Sequence, residues 1–346
     1  MLTVKARSTA GPRETFRTTT IERRELGPHD ILIDIAYAGI CHSDVAHARS
    51  SWGPERYPLV PGHEIAGTVA ATGSDVSTFN TGDLAGVGVM VDSCRKCTYC
   101  LAGKQQHCRA GYVKAYGSIG RDGSPTHGGY SQQIVVDESF ALHLPASIPL
   151  SNVAPLLCAG ITMFSPLRKW QAGPGKKVAI LGFGGLGHVG TQLSKAMQAH
   201  TTVIDLSPDK REDSLRLGAD DFRMASDKST FEDLADTFDL IVSTIPTSAD
   251  FNPFLRLLAM DGTLVSIGMS SKPLVLQPDA LMENQRSVAG SRCGGIAETQ
   301  EMLDFCGQRG IGAEVEVIAA DQIDDAFERL LTGSVKYRFV IDNATL

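Results

Sequence analysis

A thiol, an imidazole and a carboxylate stand close together early in the chain, each beside glycine or proline. Cys41 comes first, and His63 follows with Glu64 directly after it. Sulfur, nitrogen and carboxylate ligands held on tight turns are the set that zinc prefers. This pattern predicts a zinc site. The alternative, from these residues alone, is a buried thiol and a hydrogen-bonded core histidine.

A second group of thiols follows at short spacing, in the pattern C-x2-C-x2-C-x7-C. Its members are Cys94, Cys97, Cys100 and Cys108. Four thiolates in a polar loop can close a tetrahedron around one zinc ion, which leaves no open position and orders a segment that lacks its own core. The alternatives are unligated thiols or an iron–sulfur cluster, but the C-x2-C-x2-C-x3-C-P form of ferredoxins is missing. We therefore predict a structural zinc.

A glycine-rich loop lies between a short apolar run, 177–181, and a helical pattern. A strand, a G-x-G-x-x-G loop and a helix in this order bind the pyrophosphate of a dinucleotide through backbone amides. The alternative is a glycine turn that binds nothing. The residues predicted to form the cradle are Gly182, Gly184, Gly185, Leu186 and Gly187.

Asp205 follows the next predicted strand, 201–204, about twenty residues after the glycine loop. A carboxylate at this position accepts hydrogen bonds from the adenosine ribose and repels a 2′-phosphate, which favours NAD over NADP. Ser207, Lys210 and Arg211 lie just beyond and could instead hold that phosphate. NADP is therefore the alternative cofactor, and Lys210 is a second candidate for cofactor binding.

The elements that must position these residues alternate along the chain. A period-two apolar pattern over 31–37 predicts a strand that leads to Cys41, and 64–69 reads as another strand. From residue 175 onward, apolar runs alternate with helical patterns, which predicts a parallel sheet. The remaining predicted strands are 133–136, 238–244, 262–268, 287–291 and 337–342, and the predicted helices include 251–260, 299–309 and 322–331.

Bulk properties narrow the class of protein. The chain has 346 residues, enough for two domains, and a net charge of −7. This mild negative balance gives no electrostatic footprint for nucleic acid or for an anionic membrane. The chain also has no apolar stretch long enough for a signal peptide or a membrane span, so we expect a cytoplasmic protein whose eight cysteines are reduced.

Taken together, the motifs resemble the zinc-containing medium-chain alcohol dehydrogenases, and within them the cinnamyl alcohol dehydrogenase-like branch. The matching stretches span nearly the whole chain in the family's order: GICHSD, VPGHEIAGTV, GVGVMVDSCRKCTYC, GGYSQQIVVDE, APLLCAGITMFSPL, GFGGLGHVG and LGAD. The resemblance implies an α/β fold with a GroES-like β-rich catalytic domain and a doubly wound Rossmann nucleotide-binding domain. The first would span 1–152, with 292–346 returning to it, and the second 153–291.

The same resemblance implies a ligand set for a catalytic zinc. Cys41, His63 and Cys158 correspond to its three ligands, and Glu64 corresponds to a carboxylate that can enter the zinc sphere. Asp44 corresponds to the acid that orients the ligand histidine, in keeping with the general behaviour of metal-bound histidines. With the four-thiolate lobe, this makes two zinc ions per chain, one catalytic and one structural.

Roles around the substrate and cofactor are implied in the same way. Ser43 corresponds to the hydroxyl that binds the substrate oxygen, His42 to a cofactor-phosphate contact and Thr162 to a residue against the nicotinamide. Trp52 could line the substrate pocket, although ordinary packing explains it equally well. Family members often carry a relay histidine where this chain has Ala46, which leaves bulk water or the cofactor ribose as the proton route.

The activity implied by the resemblance is hydride transfer between a primary alcohol or aldehyde and NAD(P). The substrates would be aromatic, allylic or of medium chain length. A polyol or formaldehyde dehydrogenase on the same scaffold is the enzymatic alternative, and a non-catalytic cofactor-binding protein is the remote one. A homodimer is the expected assembly, with a tetramer as the alternative.

Overall fold

The computed structural model describes residues 1–245, 249–269 and 273–346. It divides the chain into two units, Met1–Ile161 with Cys293–Leu346, and Thr162–Arg292. The strands are β1 Leu2–Ser8, β2 Arg17–Arg23, β3 Asp30–Ile40, β4 Ile65–Thr72, β5 Leu84–Val87, β6 Met90–Asp92, β7 Val113–Lys114, β8 Gln133–Asp137, β9 Leu142–His143, β10 Lys177–Leu181, β11 His200–Asp205, β12 Asp221–Met224, β13 Phe238–Ser243, β14 Leu258–Ser266, β15 Ser287–Gly290, β16 Val315–Ala319 and β17 Arg338–Asp342.

Helices are fewer and mostly short. They are α1 His42–Ala48, α2 Thr98–Leu101, α3 Leu150–Val153, α4 Ala159–Lys169, α5 Gly187–Ala196, α6 Arg211–Arg216, α7 Lys228–Asp233, α8 Asn252–Leu255, α9 Pro278–Met282, α10 Ile296–Arg309 and α11 Ile323–Thr332. Among the described residues, no single helix has the length and apolar character needed to cross a membrane; one bent pair, Leu150–Leu157 with Ala159–Lys169, passes by length and composition alone.

The first unit is built on a seven-stranded sheet, in the order β16-β17-β3-β4-β5-β9, with β8 paired to β3. Its central strand β3 buries Ile31, Ile33 and Ile35 at every second position, as a half-buried strand should. The strand predicted at 31–37 is therefore confirmed. It continues to Ile40, so the chain leaves the sheet at the residue immediately before Cys41.

The second unit is a six-stranded sheet in the order β12-β11-β10-β13-β14-β15, and every neighbouring pair is parallel. This order is that of a doubly wound nucleotide-binding sheet. The middle strand β10 has no exposed surface at Val178, Ala179 or Ile180, as expected where helices cover both faces. The parallel sheet predicted from the alternating pattern is confirmed.

One predicted element is wrong in its second half. The helix expected over 251–260 ends at Leu255, and strand β14 begins at Leu258. Leu257 and Leu258 are fully buried, and Leu258 is part of the sheet although the pattern predicted a helix at both positions. A run of apolar residues is compatible with the period of a helix and with that of a buried strand, and tertiary packing decides which of the two forms.

Candidate metal and cofactor sites

The turns at the ends of two paired strands bring the first ligand set together. β3 and β4 are antiparallel, with Ala38 opposite Ile65. The end of β3 therefore lies beside the start of β4. Cys41 directly follows the first strand, and His63 and Glu64 directly precede the second, so a strand pairing holds these three side chains near one another.

Cys158 reaches the same place from another part of the chain. It lies between the 3₁₀ turn Ala154–Leu157 and helix α4, and its Sγ is 3.8 Å from the Sγ of Cys41. One ligand atom from each of Cys41, His63, Glu64 and Cys158 lies within 4.8 Å of all the others. Two thiolates bound to one zinc at about 2.3 Å are about 3.8 Å apart in a tetrahedron. The donor types and the spacing therefore fit a zinc ion.

Asp44 holds the imidazole of this cluster from behind. Its fully buried carboxylate accepts hydrogen bonds from the Cys41 amide at 2.8 Å, the Gly62 amide at 3.2 Å and Nδ1 of His63 at 3.0 Å. Although burial disfavours the imidazolium, Asp44 and Cys41 raise the pKa of His63 well above its usual value. With Nδ1 engaged, Nε2 is the nitrogen left for a metal.

A buried ion pair stands on the other side of the cluster. Arg338, 1% exposed, donates to Oε1 of Glu64, which has no exposed surface. Burial raises the pKa of Glu64 to about 7, against the opposing charge of Arg338. Oε2 of Glu64 has no hydrogen-bond partner among the described residues, and only a glycine at position 39 leaves room for it, because a Cβ there would lie 2.0 Å away.

Arg338 was not anticipated from the sequence. The signal that could have found it is a cation inside the apolar strand β17, RFVID. A buried cation is costly without a counter-charge, so it requires an acidic partner in the core.

The two thiols of the cluster differ in their proton affinity. Hydrogen bonding with Cys158 lowers the pKa of Cys41 well below its usual value, and Arg338 and His63 add to the effect while burial opposes it. The same contact raises the pKa of Cys158, and burial raises it further. Cys41 is thus the thiol of the pair that loses its proton more easily, and the thiolate is the form that binds metal.

The remaining predicted residues of this region lie on α1, in the loop after it and on α4. Ser43 places its Oγ 3.4 Å from Nε2 of His63, beside the candidate metal position. His42 is exposed at the start of α1, and Thr162 is partly buried in α4. Trp52 is 43% exposed, and its ring lies 5.6 Å from that of His47.

The second thiol cluster has a closed geometry. One Sγ from each of Cys94, Cys97, Cys100 and Cys108 lies within 4.8 Å of the others. Hydrogen bonds from the backbone amides of Arg109 and Cys100 lower the pKa of Cys97 to about 6, which favours a thiolate ligand. Four sulfurs are the number that a tetrahedral zinc site needs, so the donor chemistry fits a zinc ion with no open position.

Arg121 forms hydrogen bonds with the backbone at both ends of this four-cysteine lobe. Its guanidinium donates to the carbonyls of Ser93 and Gly111, both at 2.9 Å. These bonds join the start of the lobe to its end.

The glycine loop lies between β10 and α5 as predicted. Gly182 has φ of +92°, which a side chain rarely adopts. A Cβ on Gly187 would lie 2.0 Å from the Gly182 carbonyl, so strand and helix approach too closely for any other residue. A Cβ on Gly184 would meet no atom within 4 Å, and Gly184, Gly185 and Leu186 are partly exposed. The open side of the loop is free to take a phosphate.

Asp205 ends β11 with its carboxylate engaged on both oxygens. Oδ2 accepts a hydrogen bond from the Phe183 amide at 2.6 Å, and Oδ1 accepts one from the Ser207 amide at 2.9 Å. The ammonium of Lys210 is 3.5 Å from Oδ2. Asp205 therefore ties the glycine loop to the end of β11, in addition to any contact with a ribose.

Two family models match the chain, one in each half. The model described as alcohol dehydrogenase GroES-like domain matches residues 27–146. The model described as zinc-binding dehydrogenase matches residues 185–308.

Individual proteins match along the whole chain. It is 52% identical to NADP-dependent alcohol dehydrogenase C 1 of Mycolicibacterium smegmatis, over 100% of this chain and 99% of the relative. It is 50% identical to a probable formaldehyde dehydrogenase of Bacillus subtilis, over 98% and 97%. The solved cinnamyl alcohol dehydrogenase of Sorghum bicolor superposes with a TM-score of 0.95 at 38% identity, over 99% of this chain and 98% of that one.

Proposed function

Because the chain belongs to the zinc-binding alcohol dehydrogenases, we propose that it interconverts primary alcohols and aldehydes by hydride exchange with NAD(P)(H). The observation that carries the proposal is the cluster of two thiols, one imidazole and one carboxylate within 4.8 Å. Three protein ligands with room for a fourth are the hallmark of a catalytic zinc, whereas a structural one is closed.

Each residue of this cluster has a part in the proposed mechanism. Cys41, His63 and Cys158 would hold the ion, which when bound polarises the substrate oxygen and lowers the pKa of an alcohol toward neutrality. During oxidation Ser43, next to His63, would accept the alcohol proton while its own hydroxyl proton passes to water or the cofactor ribose; aldehyde reduction would run the same transfer in reverse. Asp44 keeps the imidazole of His63 in place through both directions.

Glu64 is the fourth member of the cluster. Arg338 anchors one of its oxygens, while the other lies against Gly39 and has no hydrogen-bond partner among the described residues. We propose that the carboxylate of Glu64 would be available as a further ligand to the ion held by the other three side chains.

The substrates that we propose are aromatic, allylic or medium-chain aldehydes and their alcohols, with Trp52 lining the pocket. The test is nicotinamide absorbance during cinnamaldehyde reduction by zinc-replete protein. Cys158→Ser should abolish turnover and release one zinc, whereas Cys293→Ser, a thiol outside both clusters, should behave as wild type. Full turnover by the Cys158 variant would rule out this zinc mechanism.

Formaldehyde is a second candidate substrate, favoured by the name of the 50% identical Bacillus subtilis relative. A higher kcat/KM for formaldehyde than for cinnamaldehyde would select this alternative.

We propose two zinc ions per chain, the second held by Cys94, Cys97, Cys100 and Cys108. Its support is the closed set of four sulfurs. Elemental analysis of protein purified without chelators should give two zincs per chain. A single zinc would contradict this proposal.

For the cofactor we propose a preference for NAD(H), with NADP(H) as the alternative. Asp205 supports it, because a carboxylate at the end of this strand repels a 2′-phosphate. The Mycolicibacterium relative is named NADP-dependent, and Lys210 and Arg211 offer cations for that phosphate. Comparing kcat/KM with NADH and NADPH decides between them: a higher value with NADPH would overturn the preference.

We propose that the protein assembles as a homodimer through the second unit. Among the described residues, strand β15 is at one edge of the parallel sheet, and exposed edges can pair with another chain. Exposed apolar side chains in that unit add to the surface: Met260, Met269, Val275 and Met282. Light scattering should give the mass of two chains, and a monomer would contradict the proposal; a tetramer is the alternative.

Two further expectations from the sequence stand as proposals. We propose domains of 1–152 with 292–346, and of 153–291; the two units differ from these bounds in that 153–161, with Cys158, belongs to the first unit and 292 to the second. A cytoplasmic location is proposed because the two clusters of cysteines can bind zinc only in a compartment that keeps thiols reduced. Cell fractionation would test the location.

A further inference from the structure

A column of rings extends outward from the candidate metal cluster within the first unit. The ring of His63 lies 6.0 Å from that of Tyr116, Tyr116 lies 5.5 Å from His47, and His47 lies 5.6 Å from Trp52. Tyr116 is buried and Trp52 is 43% exposed, so the column connects the cluster with the surface. Neither His47 nor Glu55 has a part in the mechanism above.

A carboxylate fixes His47 within this column. Oε1 of Glu55 makes a short contact with Nδ1 of His47, and the two side chains are only 12% and 16% exposed. A buried imidazole that is bonded to a carboxylate is held in one orientation. The ring contacts of His47 with Trp52 and Tyr116 are edge-on, at interplanar angles of 80° and 90°.

The loop that carries Trp52 is closed at its base by hydrogen bonds. The Tyr57 hydroxyl donates to the Ala48 carbonyl at 2.9 Å and lies 2.9 Å from Oγ of Ser50, which closes the base of the loop. Trp52 and Glu55 lie between these anchors. The amide of Ser51 donates to the Ala46 carbonyl of α1 at 2.8 Å, and the pairing of Glu55 with His47 adds a side-chain contact between the loop and the same helix.

His47 also shares a helix face with Ser43. The two residues are four apart on α1, and side chains at this separation lie on the same side of a helix. Ser43 is the residue next to the candidate metal position. One face of α1 thus carries both residues: Ser43, which is proposed to meet the substrate oxygen, and His47, which contacts Trp52.

We propose that His47, locked by Glu55, is a positioning residue that holds Trp52 as a wall for the aromatic ring of the substrate. This inference rests on the proposed function and adds the source of its selectivity. An aromatic ring gains from an edge-on or offset contact with an indole that is held still. A short aliphatic aldehyde has no group that reaches this wall, so only aromatic substrates depend on the lock.

The test uses Glu55→Gln, an isosteric change that removes the charge, and His47→Gln, which replaces the ring with an amide; both weaken the contact. We expect KM for cinnamaldehyde to rise about three- to tenfold, the size of one lost aromatic contact, with kcat nearly unchanged. KM for acetaldehyde should change less than about twofold. Arg49→Gln is the matched control, because it breaks the ion pair with Glu328 in the same segment without touching Trp52.

Fluorescence supplies a readout that does not depend on turnover. The chain has two tryptophans, so a Trp170→Phe background leaves Trp52 as the sole emitter. In that background both lock variants should shift Trp52 emission to the red and increase its quenching by acrylamide, and Arg49→Gln should not.

Two results would overturn the inference. Unchanged emission and quenching of Trp52 in both lock variants would show that the contact does not hold the indole. An equal loss of kcat on both aldehydes with unchanged KM would assign His47 to proton transfer instead. If wild type reduces no aldehyde at all, the proposed function fails, but the fluorescence result still tests the lock on its own.

Discussion

The carboxylate of Asp44 receives three donors at once, from two backbone amides and an imidazole. Both amides belong to the turns that carry the ligands Cys41 and His63. One buried side chain therefore fixes the relative position of two ligands that are 22 residues apart in sequence. A hydrogen-bonding partner of this kind tunes metal affinity without touching the metal.

Asp44→Asn should weaken zinc binding at the first cluster about 10- to 100-fold. The amide keeps the shape of the side chain but loses its charge and one acceptor oxygen. Competition with a chromogenic chelator measures the change. Asp34→Asn, at an exposed carboxylate on β3, is the control; equal zinc affinity in both variants would contradict this role for Asp44.

Asp205 combines a structural and a selective role. Asp205→Ser should raise the ratio of kcat/KM with NADPH to that with NADH by about tenfold or more, since it removes one repulsive charge near the 2′-phosphate while Lys210 remains. Steady-state kinetics with both cofactors gives the ratio. Asp209→Ser, an exposed neighbour, should leave it unchanged. An unaltered ratio in the Asp205 variant would remove this residue as the selector.

At the scale of elements, two glycines of the loop between β10 and α5 meet different requirements: Gly187 is needed for folding and Gly184 for cofactor binding. Gly187→Ala should destabilise the protein, because the added methyl would lie 2.0 Å from the Gly182 carbonyl. Gly184→Ala should fold normally, since its methyl meets nothing, yet weaken cofactor binding by narrowing the approach to the pyrophosphate. Thermal melting and titration with NADH measure the two effects. Equal behaviour of the two variants would contradict this division.

The four-cysteine lobe has few apolar residues to hold it, and metal binding can supply that order. Cys97→Ser should cost one zinc per chain and lower Tm by several degrees, about the shift for a loss of 2 kcal/mol or more. Limited proteolysis should then cut between positions 93 and 110. Retention of both zincs and of wild-type Tm would show that the lobe holds itself without metal.

At the scale of the whole molecule, the chain has two units, each with its own sheet. The similarity to known proteins confirms the predicted α/β fold with a GroES-like domain and a Rossmann domain. The first unit holds both candidate metal clusters, and the second holds the glycine loop and Asp205. Metal chemistry and cofactor binding therefore depend on different cores, and a mutation in one core should not abolish the other function directly.

Stability should fall in mild acid for a reason that lies outside both sites. Burial, with some help from the charge of Arg23, lowers the pKa of His127 to about 4, against 6.5 for a free histidine. As pH falls, the unfolded chain therefore binds this proton at a higher pH than the folded chain does. The contribution of His127 to the free energy of unfolding is complete above pH 6.5 and is lost as pH falls toward 4.

His127→Gln should remove this part of the acid sensitivity. The difference between wild type and variant should change by about 1 kcal/mol between pH 7 and pH 4.5, a value reduced for the partial exposure of the ring. Urea unfolding at the two pH values measures it. Parallel loss of stability in both proteins would place the acid sensitivity elsewhere.

The amino-acid sequence by itself determined the local units. The strand before Cys41, the strand–loop–helix around Gly182 and the spacing of the four-cysteine lobe depend on neighbours within a few tens of residues, and periodicity and glycine geometry report such order directly. The helix expected over 251–260 failed because an apolar run suits both a helix and a buried strand, and only packing chooses.

Tertiary structure alone decided which distant residues meet. Cys158 joins Cys41 through folding, and Arg338 pairs with Glu64 across 274 positions of sequence. The lock between His47 and Glu55 also depends on how a loop returns to its helix. No sequence period encodes such pairs, because a buried charge or ring is fixed by the partner that folding places beside it.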